Sequence, residues 1–124
     1  NLEKEILHLK EISLSAFNHL NQNWRDCKIN TPKVNLDKGI LNFMPARISS
    51  DMLVQEMSLR GYSIAQSGGC SSTNGLPSHV LKSIGLSDEE ALSSVKFSFD
   101  YSTTLEEIEN AINILRDIVK LHCH

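Results

Sequence analysis

The sequence predicts an α/β chain of the α+β layer type, with a small mixed sheet and helices packed on one face. Three observations lead to this prediction. The chain has 124 residues, 40% of them apolar, which is enough for one buried core and too few for two ordinary domains. Apolar residues recur at helical spacing in some segments and alternate in others. These segments are interleaved, as in a layered domain, so we expect residues 1–124 to form a single domain.

The first half of the chain predicts two helices and three strands. Leu2, Ile6, Leu9 and Ile12 recur at helical spacing, with Lys and Glu between them. Later segments alternate or are rich in strand-forming residues, and Pro45 ends the best of them. The predicted elements are a helix over residues 2–22, strands over 27–30 and 39–44, a helix that Ser50 caps and Arg60–Gly61 ends, and a strand over 62–65.

The second half opens with a polar segment. Residues 66–75 hold Gly, Ser and Asn with one apolar residue, Cys70, and predict a loop. Ser87 with Glu90 three residues later is a capping box. The elements expected after the loop are a helix over 79–84 capped by Ser78, a short helix from Ser87 to about Leu92, a strand over 95–99 and a helix that starts at Thr104. The apolar face of that last helix consists of Ile108, Ala111, Ile112, Leu115, Ile118 and Val119.

The composition argues against several classes of function. The formal net charge is −3, so the chain lacks the cationic excess of a protein that binds nucleic acid through a broad basic surface. No run approaches the roughly 18 consecutive apolar residues of a membrane span. The start lacks Met, a basic region and an apolar region, so it does not resemble a signal peptide, and we expect the chain to be cut from a longer protein.

Cysteine usage predicts a reducing compartment. Cys27, Cys70 and Cys123 are odd in number and widely spaced, with no CxxC pair, which fits free thiols in the cytoplasm. Cys27 lies in a predicted strand and is expected to be structural. Cys70 lies in the predicted loop, where packing gives no reason for a cysteine. From the residues alone, Cys70 is either a functional thiol or an incidental surface cysteine.

No other pattern predicts a chemical site. The chain end brings His122, Cys123 and His124 together, but adjacent ligands suit one tetrahedral ion poorly, so we expect no metal site. The acidic pairs Glu89–Glu90 and Glu106–Glu107 are explained by helix starts. The sequence contains no dinucleotide-binding, phosphate-loop or HExxH motif.

Several linked motifs resemble one known family. The motifs are, in order, SGGCSS at 67–72, PSHVL at 77–81, IGLSDEEA at 84–91, SVKFSF at 94–99 and TTLEEI at 103–108. They are similar to the C-terminal region of cysteine desulfurases, in the class V aminotransferase group of pyridoxal-phosphate enzymes, and to the subgroup with a long cysteine loop. The similarity runs without a gap from about Ile64 to Ile118, and residues 1–63 fit the same small domain more loosely.

The resemblance implies roles for particular residues. In the family, a loop cysteine attacks the sulfur of the substrate as a thiolate, alanine leaves, and a persulfide remains on the protein. Cys70 stands at that position. Lys96 stands where the family usually has an arginine that binds the substrate carboxylate. A lysine keeps the positive charge but lacks the two parallel N–H groups with which arginine binds both carboxylate oxygens. Lys96 is therefore either a substrate-binding residue or an ordinary strand lysine on a solvent face. Gln66 replaces a residue that is usually small, and we expect it to alter how the loop is anchored.

The resemblance also implies what this chain lacks. The family binds pyridoxal phosphate through a lysine of a large N-terminal domain, usually beside a histidine, and no His-Lys pair occurs here. We expect the chain alone to bind no cofactor and to be inactive. The full-length parent is expected to be a homodimer that acts on L-cysteine and passes sulfur to an acceptor or iron–sulfur scaffold protein. The alternatives are a selenocysteine lyase and a stand-alone, non-enzymatic sulfur-relay or binding domain.

Overall fold

The structure, a computed structural model, describes residues 1–24, 26–31, 39–66 and 85–122. Among these residues four helices and four strands follow one another along the chain. They are α1 (Leu2–Asn23), β1 (Lys28–Ile29), β2 (Ile40–Met44), α2 (Ser50–Leu59), β3 (Ala65–Gln66), α3 (Asp88–Leu92), β4 (Val95–Ser98) and α4 (Leu105–His122). The α+β class that the sequence predicts is confirmed.

The four described strands form one sheet in the order β1-β2-β4-β3. All three pairings are antiparallel, so in this detail the sheet differs from the mixed sheet that the sequence predicts. The reason lies in the connection from β2 through α2 to β3. These two strands run parallel to each other, as the strand–helix–strand order predicts, but β4 lies between them and pairs with both in the opposite direction.

Helix α1 lies within one residue of its predicted bounds. Asn1 caps it and accepts hydrogen bonds from two backbone N–H groups of the first turn, at 2.8 and 3.4 Å. Its apolar face is buried only further along, at Ile12, Ala16 and Leu20. Leu2, at the start, is 71% exposed. The apolar pattern in the sequence therefore extends beyond the part of the helix that the described core covers.

Helix α2 and strand β3 depart slightly from the prediction. Helix α2 begins at Ser50, so the cap position is Ser49 and not Ser50, and the Ser49 side chain makes no capping hydrogen bond. Strand β3 begins at Ala65, later than predicted. The chain leaves α2 through a turn in which the Tyr62 N–H donates to the Met57 carbonyl at 2.9 Å. Because this turn uses the backbone at Tyr62, strand pairing starts only after it.

One core joins the sheet to three helices. From the sheet, Leu41, Phe43, Val95 and Phe97 face this core. The helices α1, α2 and α4 add Ile12, Ala16, Leu20, Leu53, Met57, Ile108, Ala111, Ile112, Leu115, Ile118 and Val119. All the apolar positions that the sequence assigns to the inner face of α4 are among them. The prediction that helices pack on one face of the sheet is confirmed.

Helix α3 is fixed at its start by the predicted capping box. Ser87 Oγ accepts from the Glu90 N–H at 3.1 Å, and the Glu90 carboxylate accepts from the Ser87 N–H at 3.0 Å. Glu90 also pairs with Lys28 of β1 at 2.9 Å. The Ser87 backbone hydrogen bond, followed by the contact with Lys28, lowers the pKa of Glu90 to about 2. This carboxylate therefore ties α3 to the β1 edge of the sheet.

Two predicted segments lie outside the described residues. They are the polar loop beyond Gln66 and the helix over 79–84 with its cap, Ser78. Within the described part of the chain, no helix combines the length and the apolar character needed to cross a membrane.

Candidate functional site

The two faces of the sheet carry different side chains. Because directly paired residues share a face, the register assigns each side chain to one side. The row on the helix-covered face is Ile29, Phe43, Val95 and Gln66. The neighbouring row, on the opposite face, is Asn42, Lys96 and Ala65. This side of the sheet, which we call the open face, carries Ile40, Asn42, Ala65, Lys96 and Ser98, all exposed or half-buried. At its β1 edge it also carries the exposed Lys28 and the buried Met44.

Lys96 is a half-buried residue in the middle of the open face. It lies on β4, between Asn42 of β2 and Ala65 of β3. Among the residues that the structure describes, no carboxylate lies within 4.0 Å of its ammonium group. The same is true of four described cations on the helices, which are Lys4, Lys10, Arg116 and Lys120, so what distinguishes Lys96 is its place in the middle of the sheet. A positive charge without a partner in the described chain favours the binding of an anion at this face.

Asn42, the cross-strand neighbour of Lys96, is held by a second asparagine. Asn30 Nδ2 donates to Asn42 Oδ1 at 2.8 Å and to Ser94 Oγ at 3.0 Å. The Asn42 carbonyl accepts from the Asn30 N–H at 2.8 Å, and the Asn42 N–H donates to Thr31 Oγ1 at 2.7 Å. Both backbone groups of Asn42 therefore point towards β1. In the ladder with β4, Asn42 and Lys96 form a non-hydrogen-bonded pair, the kind whose side chains lie closer together.

Sequence reasoning did not single out Asn42. The alternation in β2 indicates that Asn42 lies on the face opposite to Leu41 and Phe43. It does not show that β4 is the neighbouring strand, nor that the register places Lys96 opposite. The signal in the sequence was a polar residue inside the most apolar strand.

Cys70 lies outside the described residues, but the start of its segment is described. Gln66, the last residue of β3, donates from its side-chain amide to the Asp51 carboxylate at 3.1 Å, in the first turn of α2. The expectation that Gln66 alters how the loop is anchored stays a prediction, because the loop lies outside the described residues. A hollow of about 590 Å³ opens beside the contact between Gln66 and Asp51, with Arg47 and Glu89 on its rim.

The segment that carries Cys70 starts next to Lys96. Ala65 pairs directly with Lys96, and the chain continues from Ala65 through Gln66 into that segment. Of the two predicted site residues, the structure describes Lys96 and the point from which the Cys70 segment departs. It does not describe the distance between Cys70 and Lys96.

Cys27 packs as the structural cysteine that the sequence predicts. It is half-buried against the core, and its N–H donates to the Trp24 carbonyl at 3.3 Å. Burial raises the pKa of the Cys27 thiol to about 12. A thiol that stays protonated near neutral pH is a poor nucleophile.

The described residues hold no cluster of three or more His, Cys, Asp or Glu side chains that could bind a metal ion. His122 is the last residue of α4, whereas Cys123 and His124 lie outside the described ranges. The expectation for the chain end stays untested.

No family model matches this chain, but several curated proteins that are similar to it carry the same name. The chain is 34% identical, over 97% of its length, to a protein named cysteine desulfurase IscS from Vibrio vulnificus strain CMCP6. It is 27% identical, over 96% of its length, to a protein of the same name from Dictyoglomus turgidum. Over this region the chain belongs to the cysteine desulfurase family. It spans 29% and 30% of the length of those two cysteine desulfurases.

Two solved structures share the fold of this chain. A NifS-like protein matches with a TM-score of 0.77 and 18% identity, over 97% of this chain and 29% of that one. A NifS-like protein from Rickettsia africae ESF-5 matches with a TM-score of 0.72 and 19% identity, over 94% of this chain and 30% of that one. At these identities the likeness shows the fold alone.

Proposed function

We propose that this chain is the C-terminal small domain of a cysteine desulfurase, which converts L-cysteine to L-alanine and holds the sulfur as a persulfide. The observation that carries the proposal is the 34% identity, over 97% of the chain, with a protein of that name. A match over nearly the whole chain, and not over one motif, supports a shared domain. The fold likeness to NifS-like structures supports it independently of side-chain identity.

Cys70 is the nucleophile in this proposal. Its thiolate attacks the sulfur of the substrate and forms an S–S bond. The substrate Cβ–S bond breaks, its electron pair stays with carbon, and that carbon takes up a proton to become the methyl group of alanine. The protein is left with a Cys70 persulfide, so one sulfur atom moves and no outside oxidant is needed. The sequence from Ser67 to Asn74 contains no bulky side chain, which favours access to the thiol.

Lys96 is the proposed contact for the substrate carboxylate. Two observations support this role: the ammonium group has no carboxylate within 4.0 Å in the described chain, and its strand neighbour Ala65 leads into the Cys70 segment. A carboxylate bound at Lys96 and a sulfur presented to Cys70 would fix both ends of a small amino acid.

Pyridoxal phosphate is the cofactor proposed for the full-length protein, where it serves as an electron sink. The described residues of this chain do not fit as its complete site. Such a site needs an available lysine and an acid that faces the ring nitrogen. Lys28 is paired with Glu90, and Lys96 has no described acid within 4.0 Å. The other described lysines, Lys4, Lys10 and Lys120, are exposed on the outer surfaces of helices. We therefore assign the cofactor to the remaining part of the parent and derive no step through it.

The chain by itself is proposed to be inactive. Pyridoxal phosphate added to the 124-residue chain should give no adduct that borohydride fixes at one specific lysine, as read by peptide mass spectrometry. A stoichiometric adduct at a single lysine would contradict this part of the proposal.

The nucleophile is tested in the full-length protein. Cys70→Ser is expected to abolish alanine formation from L-cysteine while the absorbance of the bound cofactor persists. The control is Cys27→Ala, which should leave turnover within about twofold because a buried, protonated thiol takes no part in the chemistry. If turnover survives in Cys70→Ser, the proposed nucleophile is wrong. Comparing L-cysteine with L-selenocysteine in the same assay decides between a desulfurase and a selenocysteine lyase.

We also propose partners and a compartment for the parent. A persulfide is handed to another thiol by exchange, so the acceptor is a sulfur-carrier or iron–sulfur scaffold protein with a reactive cysteine. Free thiols of this kind persist in a reducing compartment, which favours the cytoplasm. The homodimer expected for the parent is tested by light scattering of the full-length protein.

A further inference from the structure

We propose that five exposed apolar side chains at one end of this domain form the surface on which the remaining part of the parent protein packs. The surface, which we call the apolar end, consists of Leu2, Ile6, Ile40, Tyr101 and Leu105. That the parent has a further part, ahead of Asn1 along the polypeptide, rests on the proposed function. The grouping of the five side chains rests on the structure alone.

Contacts between the elements bring these side chains to one end of the molecule. The Leu9 side chain in α1 lies against Gly39, just before β2, where a Cβ would be 3.1 Å from it. His8 Nε2, also in α1, donates to the carbonyl of Thr103 at 2.9 Å, in the turn that leads into α4. The first turns of α1, the start of β2 and the turn before α4 therefore meet, and each contributes to the apolar end.

The inner stripe of α1 runs out of the core at this end. Leu20 and Ile12 are buried, Leu9 is half-buried, and Ile6 and Leu2 are exposed. Because these residues are three, four or eight positions apart, they share one side of the helix. At a rise of 1.5 Å per residue, the stripe from Leu9 to Leu2 extends about 10 Å beyond the part that the described core covers.

Elsewhere on the described part of the chain, large exposed apolar side chains stand singly. Leu7, Leu59, Leu92 and Leu121 each lie on a different helix. Single apolar side chains of this kind are normal on a protein surface, whereas a group of them marks a site of interaction. The apolar end is such a group, because three neighbouring segments contribute to it.

The occupant is the remaining part of the same polypeptide. The chain spans 29% and 30% of the length of two cysteine desulfurases, so in the proposed parent the larger part precedes Asn1. It joins this domain at the start of α1, which belongs to the apolar end. A covalently linked partner has an effective concentration in the millimolar range for a short linker, so a small apolar surface is enough to hold it. A second copy lacks this advantage and needs about 20–30 residues on each side.

Thiol labelling of the full-length protein measures whether the apolar end is covered. A maleimide should label Leu2→Cys at least about tenfold more slowly than Leu59→Cys, and the two rates should converge in denaturant. Both leucines are mostly exposed in this chain, at 71% and 82%. A cysteine near a helix N-terminus is otherwise the more reactive one, so slow labelling at position 2 reports cover and not a raised pKa. Ile6→Cys is the second position and should be protected in the same way.

A photoreactive p-benzoylphenylalanine in place of Leu2 identifies the occupant. Irradiation of the full-length protein should give a cross-link within one polypeptide, to a peptide more than about 10 residues ahead of Asn1, beyond the reach of the adjoining helical turns. The same residue in place of Leu59 is the control and should give no such cross-link. A cross-link to residues 32–38 or 67–84, or a product of twice the mass on a denaturing gel, would mean that this chain itself or a second copy covers the apolar end, and either result would refute the proposal.

These measurements do not depend on catalysis. Absence of alanine formation from L-cysteine would refute the proposed function and leave the cross-link to decide the packing surface. Equal labelling of positions 2 and 59 in a folded parent that does form alanine would refute the packing surface and leave the function in place.

Discussion

Gly39 enters strand β2 with a φ of 70°, in the left-handed region where a side chain is strained. A Cβ at this position would lie 2.9 Å from the Phe99 carbonyl oxygen and 3.1 Å from the Leu9 side chain. The Phe99 backbone cannot easily move, because its N–H donates to the Gly39 carbonyl at 2.7 Å. We expect Gly39→Ala to lower the free energy of unfolding by about 2–4 kcal/mol, from backbone strain together with the close contact.

The matched control for Gly39 is Gly61. It also has a positive φ, 87°, but a Cβ there would meet nothing within 4 Å. Gly61→Ala should therefore lower the free energy of unfolding only by the backbone strain, about 1–2 kcal/mol. Urea denaturation of the two variants measures the difference, and equal losses would mean that the contact with Phe99 does not matter.

Cys27 and Cys70 should differ strongly in reactivity. With a pKa of about 12, Cys27 stays protonated at pH 8, so iodoacetamide should label it slowly. We expect Cys70 to react more than about tenfold faster in the folded protein, because its polar, glycine-rich sequence predicts access to solvent. In denaturant the two rates should converge, and peptide mass spectrometry measures both. Equal rates in the folded protein would contradict the assignment of Cys27 as the structural cysteine.

For the candidate site, the sequence identified single residues but not their neighbours. The motifs around Cys70 and Lys96 could be recognised because each is a run of adjacent residues. The pairing of Asn42 with Lys96 joins two strands that are far apart along the chain, and only the register of the sheet reveals it. A one-residue slip would place either side chain on the opposite face, so alternation alone could not predict this contact.

Helix α3 depends on one carboxylate for both its cap and its link to the sheet. Glu90 has a pKa of about 2 in the folded protein, below the value of about 4.3 for a free side chain. Because folding lowers the pKa of Glu90, its ionised carboxylate stabilises the fold at pH values above the pKa of the unfolded state. This stabilisation is lost as the pH falls to the pKa of the folded state. We expect Glu90→Gln, which keeps a capping oxygen but has no charge to titrate, to lose less stability between about pH 5 and pH 2.

Thermal unfolding at a series of pH values measures this difference. Glu89→Gln is the control, since its ion pair with Arg47 is exposed on both sides and contributes little. Its acid-induced loss of stability should follow that of the unmodified chain. If Glu90→Gln also follows the unmodified chain, the Ser87 and Lys28 contacts do not stabilise the folded protein.

The elements were predictable where the chain encodes them locally. The capping box at Ser87 and the apolar face of α4 involve residues three or four apart, and both predictions are confirmed. Strand β3 begins later than predicted because the turn after α2 uses the Tyr62 backbone, which is a property of the turn and not of side-chain pattern. The sheet differs from the predicted mixed type because β4 inserts between β2 and β3, a non-local event.

The molecule is held together by a core in which Phe43 is central. Its ring lies 6.4 Å from that of Trp24 at the end of α1 and 5.3 Å from that of Phe97 in β4, measured between centroids. Phe43 is fully buried and belongs to the cluster that unites the sheet with α1, α2 and α4. Loss of this side chain should therefore weaken all these contacts at once.

Phe43→Ala is expected to lower the free energy of unfolding by about 3–5 kcal/mol, the usual cost of a large cavity in a close-packed core. Ile40→Ala is the matched control in the same strand, because Ile40 lies on the open face and is 39% exposed. This substitution should lower the free energy of unfolding by less than about 1.5 kcal/mol. Trp24, the single tryptophan, reports on the core by fluorescence, while circular dichroism reports on the helices. If the core is one cooperative unit, the two urea transitions coincide in the unmodified chain and shift together in Phe43→Ala. Separate transitions, or equal losses for Phe43→Ala and Ile40→Ala, would contradict a single core centred on Phe43.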